Sequence, residues 1–375
     1  MLLPYCLLLP EDKLNFMNAS SRYKRQIILP EIGESGQHKL LKSKVLIIGA
    51  GGLAASILPY LAAAGVGEIG IVDDDIIELS NLHRQVIYKS SAVGKYKVEE
   101  AKAMVAELNP QVKVNAITEK LSGKNAVDLF RNYHIIVDAT DNIQIKYLIN
   151  DACLVTNKPM VYGSIFRFQG QVSVFNYQNG PTYRCLYPDE NSSSVNCTDA
   201  GVIGISVGII GMLQANEVIK MILGIGEVLN GKILVYNILN NEQQKYDFEK
   251  NVSIIMNSTI FEEKYLSIKN TVEEIPVEGV LNEMKNDEIL FLDVRNSDEI
   301  PKINFKNSIQ IPFMNLENEI DKLNLNQTIY VYCQSGIRSK MAVELLQKKA
   351  FKDVKSVSGG ALALNQLLKK ESLSI

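Results

Sequence analysis

Lys44-Val45-Leu46-Ile47-Ile48-Gly49-Ala50-Gly51-Gly52-Leu53-Ala54 decides the fold. Its first five residues form a short, β-branched run of the kind buried on both faces of a parallel sheet. The glycines then turn the chain tightly into a helix over residues 56–64, which Gly65 and Gly67 close. Such a turn lets backbone N–H groups approach phosphate oxygens at a helix N-terminus. Glu68–Val72 reads as a second strand, and Asp73 follows it, 21 residues after Gly52, where an acid can bind a ribose hydroxyl. By itself this fits ATP and NAD equally well.

Further along, residues 95–108 read as a helix stopped by Asn109-Pro110, and 134–137 as another buried strand. Strand and helix in alternation imply right-handed βαβ units and a doubly wound, Rossmann-like α/β sheet. Residues 171–177 and Lys232–Asn237 pattern as antiparallel strands extending that sheet, with a long apolar helix over 201–223 between them. A polar stretch from 242 to 270 has no strong period, and its part 249–270 is expected to link two domains, 20–248 and 271–375. In the second, Thr328–Tyr332, Val354–Val357 and residues 289–294 read as strands, with helices at 315–323 and 340–349: a smaller α/β domain.

Composition agrees with two packed domains. The 375 residues are 46% hydrophobic and 22% charged, with a net charge of -3, so neither nucleic acid nor an anionic membrane is an expected partner. No stretch reads as the roughly 20 apolar residues that span a bilayer. The N-terminal MLLPYCLLLP is short, broken by Pro4 and Pro10, and has no basic start. Residues 1–19 are therefore expected to be a non-native or disordered leader, with Met17 an alternative start. Five cysteines, odd in number and sparse, point to a reducing cytoplasm.

The residues after the glycine turn distinguish the nucleotides. Ser80-Asn81-Leu82-His83-Arg84-Gln85, then Gly94 and Lys97, then Ala139-Thr140-Asp141-Asn142, surround the strand ends with cations and acids, and Arg22-Tyr23-Lys24-Arg25-Gln26 lies upstream. Hydride transfer does not need several cations at its phosphates, whereas nucleotidyl transfer does, because charge develops on pyrophosphate. Asp141, at the carboxyl end of a strand, is placed to hold Mg2+.

Together RYxRQ, GxGGL, SNLxRQ, VGxxK, DATDN and the later CxxAG…GIIGxLQAxExIK resemble the ThiF/MoeB/HesA family over about residues 22–248. That resemblance implies ATP-dependent adenylylation of the C-terminal glycine of a ubiquitin-like sulfur carrier ending in Gly-Gly. It implies an ATP site built from Gly49, Gly51, Gly52, Asp73, Ser80, Asn81, Arg84, Lys97, Asp141 and Asn142. It also implies a homodimer in which Arg25 reaches the nucleotide of the neighbouring subunit. Relatives commonly hold zinc through two CxxC pairs. Here only Cys185 of the first pair remains and residues 252–257 (VSIIMN) contain none, so no zinc is expected.

Two thiols stand where chemistry could occur. Cys197, ahead of the long helix, gains thiolate character from the helix N-terminus; it matches the family cysteine that links to the carrier in some members, and equally reads as an idle loop thiol. Cys333-Gln334-Ser335-Gly336-Ile337-Arg338 follows a β-run, and its successive N–H groups form an anion nest to which Arg338 adds charge. With Leu292-Asp293-Val294-Arg295 and Gly359-Gly360, this resembles a rhodanese domain over about 271–368, implying a Cys333 persulfide fed by a cysteine desulfurase or thiosulfate. The usual GHI segment is replaced by Ile303-Asn304-Phe305. The expectation is an adenylyltransferase with a sulfurtransferase domain, giving a carrier thiocarboxylate for molybdopterin or thiamine biosynthesis. Alternatives are adenylylation alone beside a degenerate rhodanese domain, an NAD-dependent oxidoreductase, and a non-catalytic module that binds ubiquitin-like proteins.

Overall fold

The computed structural model describes residues 21–188, 190, 201–266, 272–284 and 286–372. Two compact units divide between Leu266 and Ser267.

The first unit is built on one eight-stranded sheet in the order β3-β2-β1-β4-β5-β6-β7-β8. β1 (Lys44–Ile48), β2 (Glu68–Val72), β3 (Lys113–Ile117), β4 (Ile135–Asp138) and β5 (Met160–Phe166) pair in parallel. β6 (Gln169–Phe175), β7 (Lys232–Asn237) and β8 (Glu242–Asp247) add antiparallel strands. The doubly wound sheet and its extension are thus the expected architecture. Strand order reverses between β1 and β4, which leaves a crevice beyond their carboxyl ends.

Helix Gly52–Ala64 begins four residues before the expected start, because the glycine turn is itself the first helical turn. It lies against helix Gly204–Leu223 at close range: a Cβ at Gly52 would come within 2.6 Å of Val207 Cγ1. Contrary to the expectation of no long apolar stretch, Gly204–Leu223 has the length and composition of a membrane span, with a mean hydropathy of 1.4. Its burial explains that composition, since Val207, Ile210, Ala215 and Val218 fill the core and buried Glu217 pairs with Lys220 at 2.6 Å.

Two stretches read as featureless are ordered. Glu242–Asp247 is an exposed edge strand, whose polar residues carry no alternation to detect. Ser258–Tyr265, inside the expected linker, is a helix capped by Asn257, and Phe261 is buried in the core cluster on the far face of the sheet.

The second unit has a five-stranded parallel sheet in the order β11-β10-β12-β13-β9. β10 (Ile289–Asp293) and β12 (Thr328–Tyr332) are central and almost wholly buried; β9 (Glu274–Ile275), β11 (Ser308–Gln310) and β13 (Val354–Val357) flank them. The helix expected at 315–323 is instead two 3-10 turns, Phe313–Asn315 and Ile320–Lys322, since only Leu316 and Leu323 of that segment are fully buried. Helix Ile337–Lys348 starts inside the Cys333 loop.

Candidate active sites

The crevice at the strand reversal opens into a cavity of about 1200 Å3. Gly49, Gly51, Gly52, Asp73, Asn81, Arg84, Lys97, Asp141 and Asn142 all line it. Ser80 does not: its hydroxyl donates to Glu78 at 3.0 Å, and its carbonyl accepts from Arg84 at 3.0 Å.

The glycine turn is held from both sides. Ala50 donates its N–H to Asp73 Oδ2 at 2.6 Å, and its carbonyl accepts from the Tyr88 hydroxyl at 2.7 Å. Gly49, at φ +95°, passes so near Ala139 that a Cβ there would sit 2.9 Å from its carbonyl oxygen. The second oxygen of Asp73 accepts from the Asp75 N–H at 2.8 Å. Burial raises the Asp73 carboxyl above its usual range, opposed by these two amides.

Cations enter from two directions. Lys97, at the start of helix Lys97–Leu108, is almost buried and donates to Asp75 at 2.7 Å. Arg84 is half-buried, bridging Ser80 and His83. Asp141 and Asn142 follow β4 into the next helix. Asn142 caps helix Ile143–Thr156 by accepting from the Ile145 N–H at 3.1 Å. Asp141 is exposed and has no hydrogen-bond or ion-pair partner among the described residues. An uncommitted carboxylate at the mouth of this cleft has the donor chemistry a hard cation such as Mg2+ requires. Arg25, on the exposed turn Lys24–Ile27, does not line this chain's cavity.

Sequence reading missed the polar groups beneath the cleft. Lys146, buried, donates to Asp138 Oδ2 at 2.7 Å, to the Thr140 carbonyl at 2.8 Å and to the Gly163 carbonyl at 3.0 Å. Asp138 is fully buried and also accepts from Thr140. This pair clamps the two ends of the turn that carries Asp141. Asp138 stands in the motif DATDN, but nothing in the spacing marks Lys146, eight residues on, as its partner. Gln85 also lines the cavity, and its buried Oε1 has no partner among the described residues.

A second polar cluster lies around fully buried Asp151. Arg184 donates to both its oxygens at 2.6 and 2.7 Å, Tyr265 to one at 2.8 Å, and Lys264 lies 3.3 Å away. Next to Arg184, Cys185 Sγ accepts from the backbone N–H groups of Thr182 and Asn251, each at 3.3 Å. Cys153 is buried in the core, and burial pushes its thiol far up, which makes it inert. Cys197 lies outside the described residues.

In the second unit Cys333 follows β12 at the carboxyl edge of the sheet and is 1% exposed. Gly336, at φ +98°, points its N–H at Sγ from 3.1 Å, and the Ser339 hydroxyl lies 3.6 Å from the sulfur. Ser339 is fixed in turn by Ser356 at 2.9 Å. Gly360 lets the next loop approach, and the Ala361 N–H donates to the Cys333 carbonyl at 2.8 Å. Arg338 differs from the expectation: its charge is not open to the loop, because it donates to both oxygens of Glu299 at 2.7 and 2.5 Å. That pairing holds the Glu299 carboxyl at a pKa of about 2. Arg295, buried, is likewise committed to Asp293 at 2.7 Å. Ile303 and Phe305, which replace the GHI segment, are buried, with Phe305 stacked on Phe291 at 3.9 Å.

Fold and site together define a nucleotide-binding α/β enzyme followed by a separate α/β domain that holds a buried thiol in the loop after its central strand. The chain belongs to the ThiF family, whose model matches residues 23–253. A rhodanese-like domain model matches residues 277–366. A probable molybdopterin-synthase adenylyltransferase of Porphyra purpurea is 39% identical over 365 residues, covering 95% of each chain. The probable adenylyltransferase/sulfurtransferase MoeZ of Mycobacterium tuberculosis is 36% identical over 363 residues, covering 92% of each. Among solved structures, E. coli MccB with ATP shares the fold, with a TM-score of 0.55 at 23% identity over 67% of this chain and 82% of that one.

Proposed function

We propose that this chain adenylylates the C-terminal carboxylate of a ubiquitin-like sulfur carrier ending in Gly-Gly and then replaces the adenylate with sulfur from Cys333. Membership of the ThiF family, with a cavity lined by the glycine turn, Arg84, Lys97 and Asp141, carries this reading. The names of the Porphyra and Mycobacterium relatives favour molybdopterin synthase as the carrier system.

A carrier carboxylate oxygen attacks the α-phosphorus of ATP and the bond to pyrophosphate breaks. No general base is required, because the nucleophile is already an anion. The work is positioning and charge neutralisation. The backbone N–H groups of Gly51 and Gly52, at the start of the helix, bind phosphate oxygens, while those of Gly49 and Ala50 hold the turn through Val72 and Asp73. Asp73 holds the turn and offers its remaining lone pairs to the ribose. Arg84, Lys97 and Arg25 of a second copy neutralise the departing pyrophosphate, and this makes the enzyme a homodimer. Lys97 reaches it by exchanging Asp75 for phosphate. Asp141 is the residue that would hold Mg2+, which when bound supplies further positive charge at the phosphates. Asn81 and Asn142 shape the cleft wall.

The terminal sulfur of a Cys333 persulfide then attacks the acyl carbon and AMP leaves. The resulting acyl disulfide is cut by a thiol, for which Cys197 is our candidate, releasing the thiocarboxylate and leaving a disulfide on Cys333. Having both activities on one chain raises the effective concentration of persulfide at the adenylate. The chemistry requires reduced thiols, and among the described residues Cys153, Cys185 and Cys333 form no disulfide, in keeping with a reducing compartment.

Mass spectrometry of a Gly-Gly carrier incubated with the enzyme, ATP and a sulfur donor tests the reading. It should show the carrier adenylate first and the thiocarboxylate second. A carrier that remains unmodified with every candidate protein contradicts it.

A further inference from the structure

Resting on that sulfur-transfer reading, we propose that Glu299 sets donor specificity by acting as the resident anion of the persulfide loop, so that Cys333 accepts sulfur from thiol-bound persulfides and not from small dianions. Arg338 is the one cationic residue of the Cys333–Arg338 loop, and its Nη1 and Nη2 donate to the two Glu299 oxygens, at 2.7 and 2.5 Å. This is the bidentate geometry by which a guanidinium would otherwise take a sulfonate or sulfate. The other local cations are committed as well: Arg295 to Asp293 and Lys340 to Glu274, each at 2.7 Å.

Glu299 is also held in place. Its Oε1 accepts from the Asn296 N–H at 2.8 Å. Gln334 donates to the Ile300 carbonyl at 2.7 Å, which fastens the chain just after Glu299 to the persulfide loop, and Arg295 donates to the next carbonyl, that of Pro301, at 2.8 Å. A dianionic donor such as thiosulfate must therefore displace a bonded carboxylate and approach beside its charge. A thiol persulfide makes no such demand. The Cys333 thiolate attacks the outer sulfur of R–S–S–H, the donor S–S bond breaks, and R–S⁻ leaves and takes up a proton. Cys333–S–SH and R–SH result, and no external oxidant or reductant is consumed. Rejection of one donor by a built-in like charge is a standard route to specificity.

The test loads Cys333 in the full chain from glutathione persulfide and, separately, from thiosulfate, and reads cyanolysable sulfur. Glu299→Gln should raise kcat/KM for thiosulfate about tenfold and change that for glutathione persulfide by less than about threefold, with Glu299→Lys raising thiosulfate use further. Wild type supplies a readout that needs no variant: sulfate, an unreactive dianion, should not compete with glutathione persulfide. Unchanged or reduced thiosulfate use in both variants, or competition by millimolar sulfate in wild type, overturns the role of Glu299 while leaving sulfur transfer intact. Failure of Cys333 to load from either donor, in wild type and variants alike, removes the sulfur-transfer reading and this inference with it.

Discussion

Asp73 Oδ2 accepts the Ala50 N–H at 2.6 Å, tying the acid at the end of β2 to the glycine turn at the end of β1. The residue expected to bind ribose is thus also the residue that shapes the phosphate turn. Replacing it with alanine should loosen both contacts. Asp73→Ala is expected to raise KM for ATP about tenfold or more, the loss of one to two charge-assisted hydrogen bonds. Tyr88→Phe, which removes only the hydroxyl on the Ala50 carbonyl, should have a smaller effect in the same direction. Initial rates against ATP concentration check both.

Lys146 tests the buried support beneath Asp141. Lys146→Met leaves Asp138 without its cation in a fully buried site, which should cost about 3–5 kcal/mol in urea unfolding. The double variant with Asp138→Asn should recover part of that loss, because the uncompensated charge is gone.

Asp151 gives a pH signature. Burial would raise its carboxyl, but the hydrogen bonds and charge of Arg184, with Tyr265 and Lys264, outweigh that and hold the pKa below 3.8. A carboxyl lowered in the folded state contributes stability that is fully present above its unfolded value and is lost as pH falls through the folded one. The stability advantage of wild type over Asp151→Asn should therefore be level from about pH 5 to 7 and shrink below about pH 4. Chemical denaturation at several pH values measures it.

Cys333→Ser should abolish cyanolysable sulfur on the chain. Cys185→Ser should retain it, since Cys185 Sγ is occupied by two backbone N–H groups far along the sequence from the persulfide loop. Persulfide loading followed by cyanolysis checks this, and retention in Cys333→Ser identifies the wrong thiol.

The parts of the fold that were legible are those with strong local signals. β1, β2 and β12 are compact, largely apolar runs, and the glycine turn follows the first of them directly. Glu242–Asp247 was not legible because all six residues are exposed and it owes its strand form to pairing with β7. Ser258–Tyr265 was hidden for a similar reason: its polar composition contributes Phe261 alone as a fully buried side chain. At the site, motif residues fell together around one cavity because the sheet brings strand ends together. Lys146 and Glu299 were invisible because ion-pair partners 8 and 39 residues apart leave no spacing to read.

The most direct test of adenylylation is exchange of labelled pyrophosphate into ATP, with Gly-Gly carrier proteins offered one at a time to wild type and to Asp141→Ala. The mechanism predicts exchange that depends on the carrier and its terminal glycine and falls by about 100-fold or more in Asp141→Ala. Absence of exchange with every Gly-Gly carrier, or full exchange in Asp141→Ala, would contradict it.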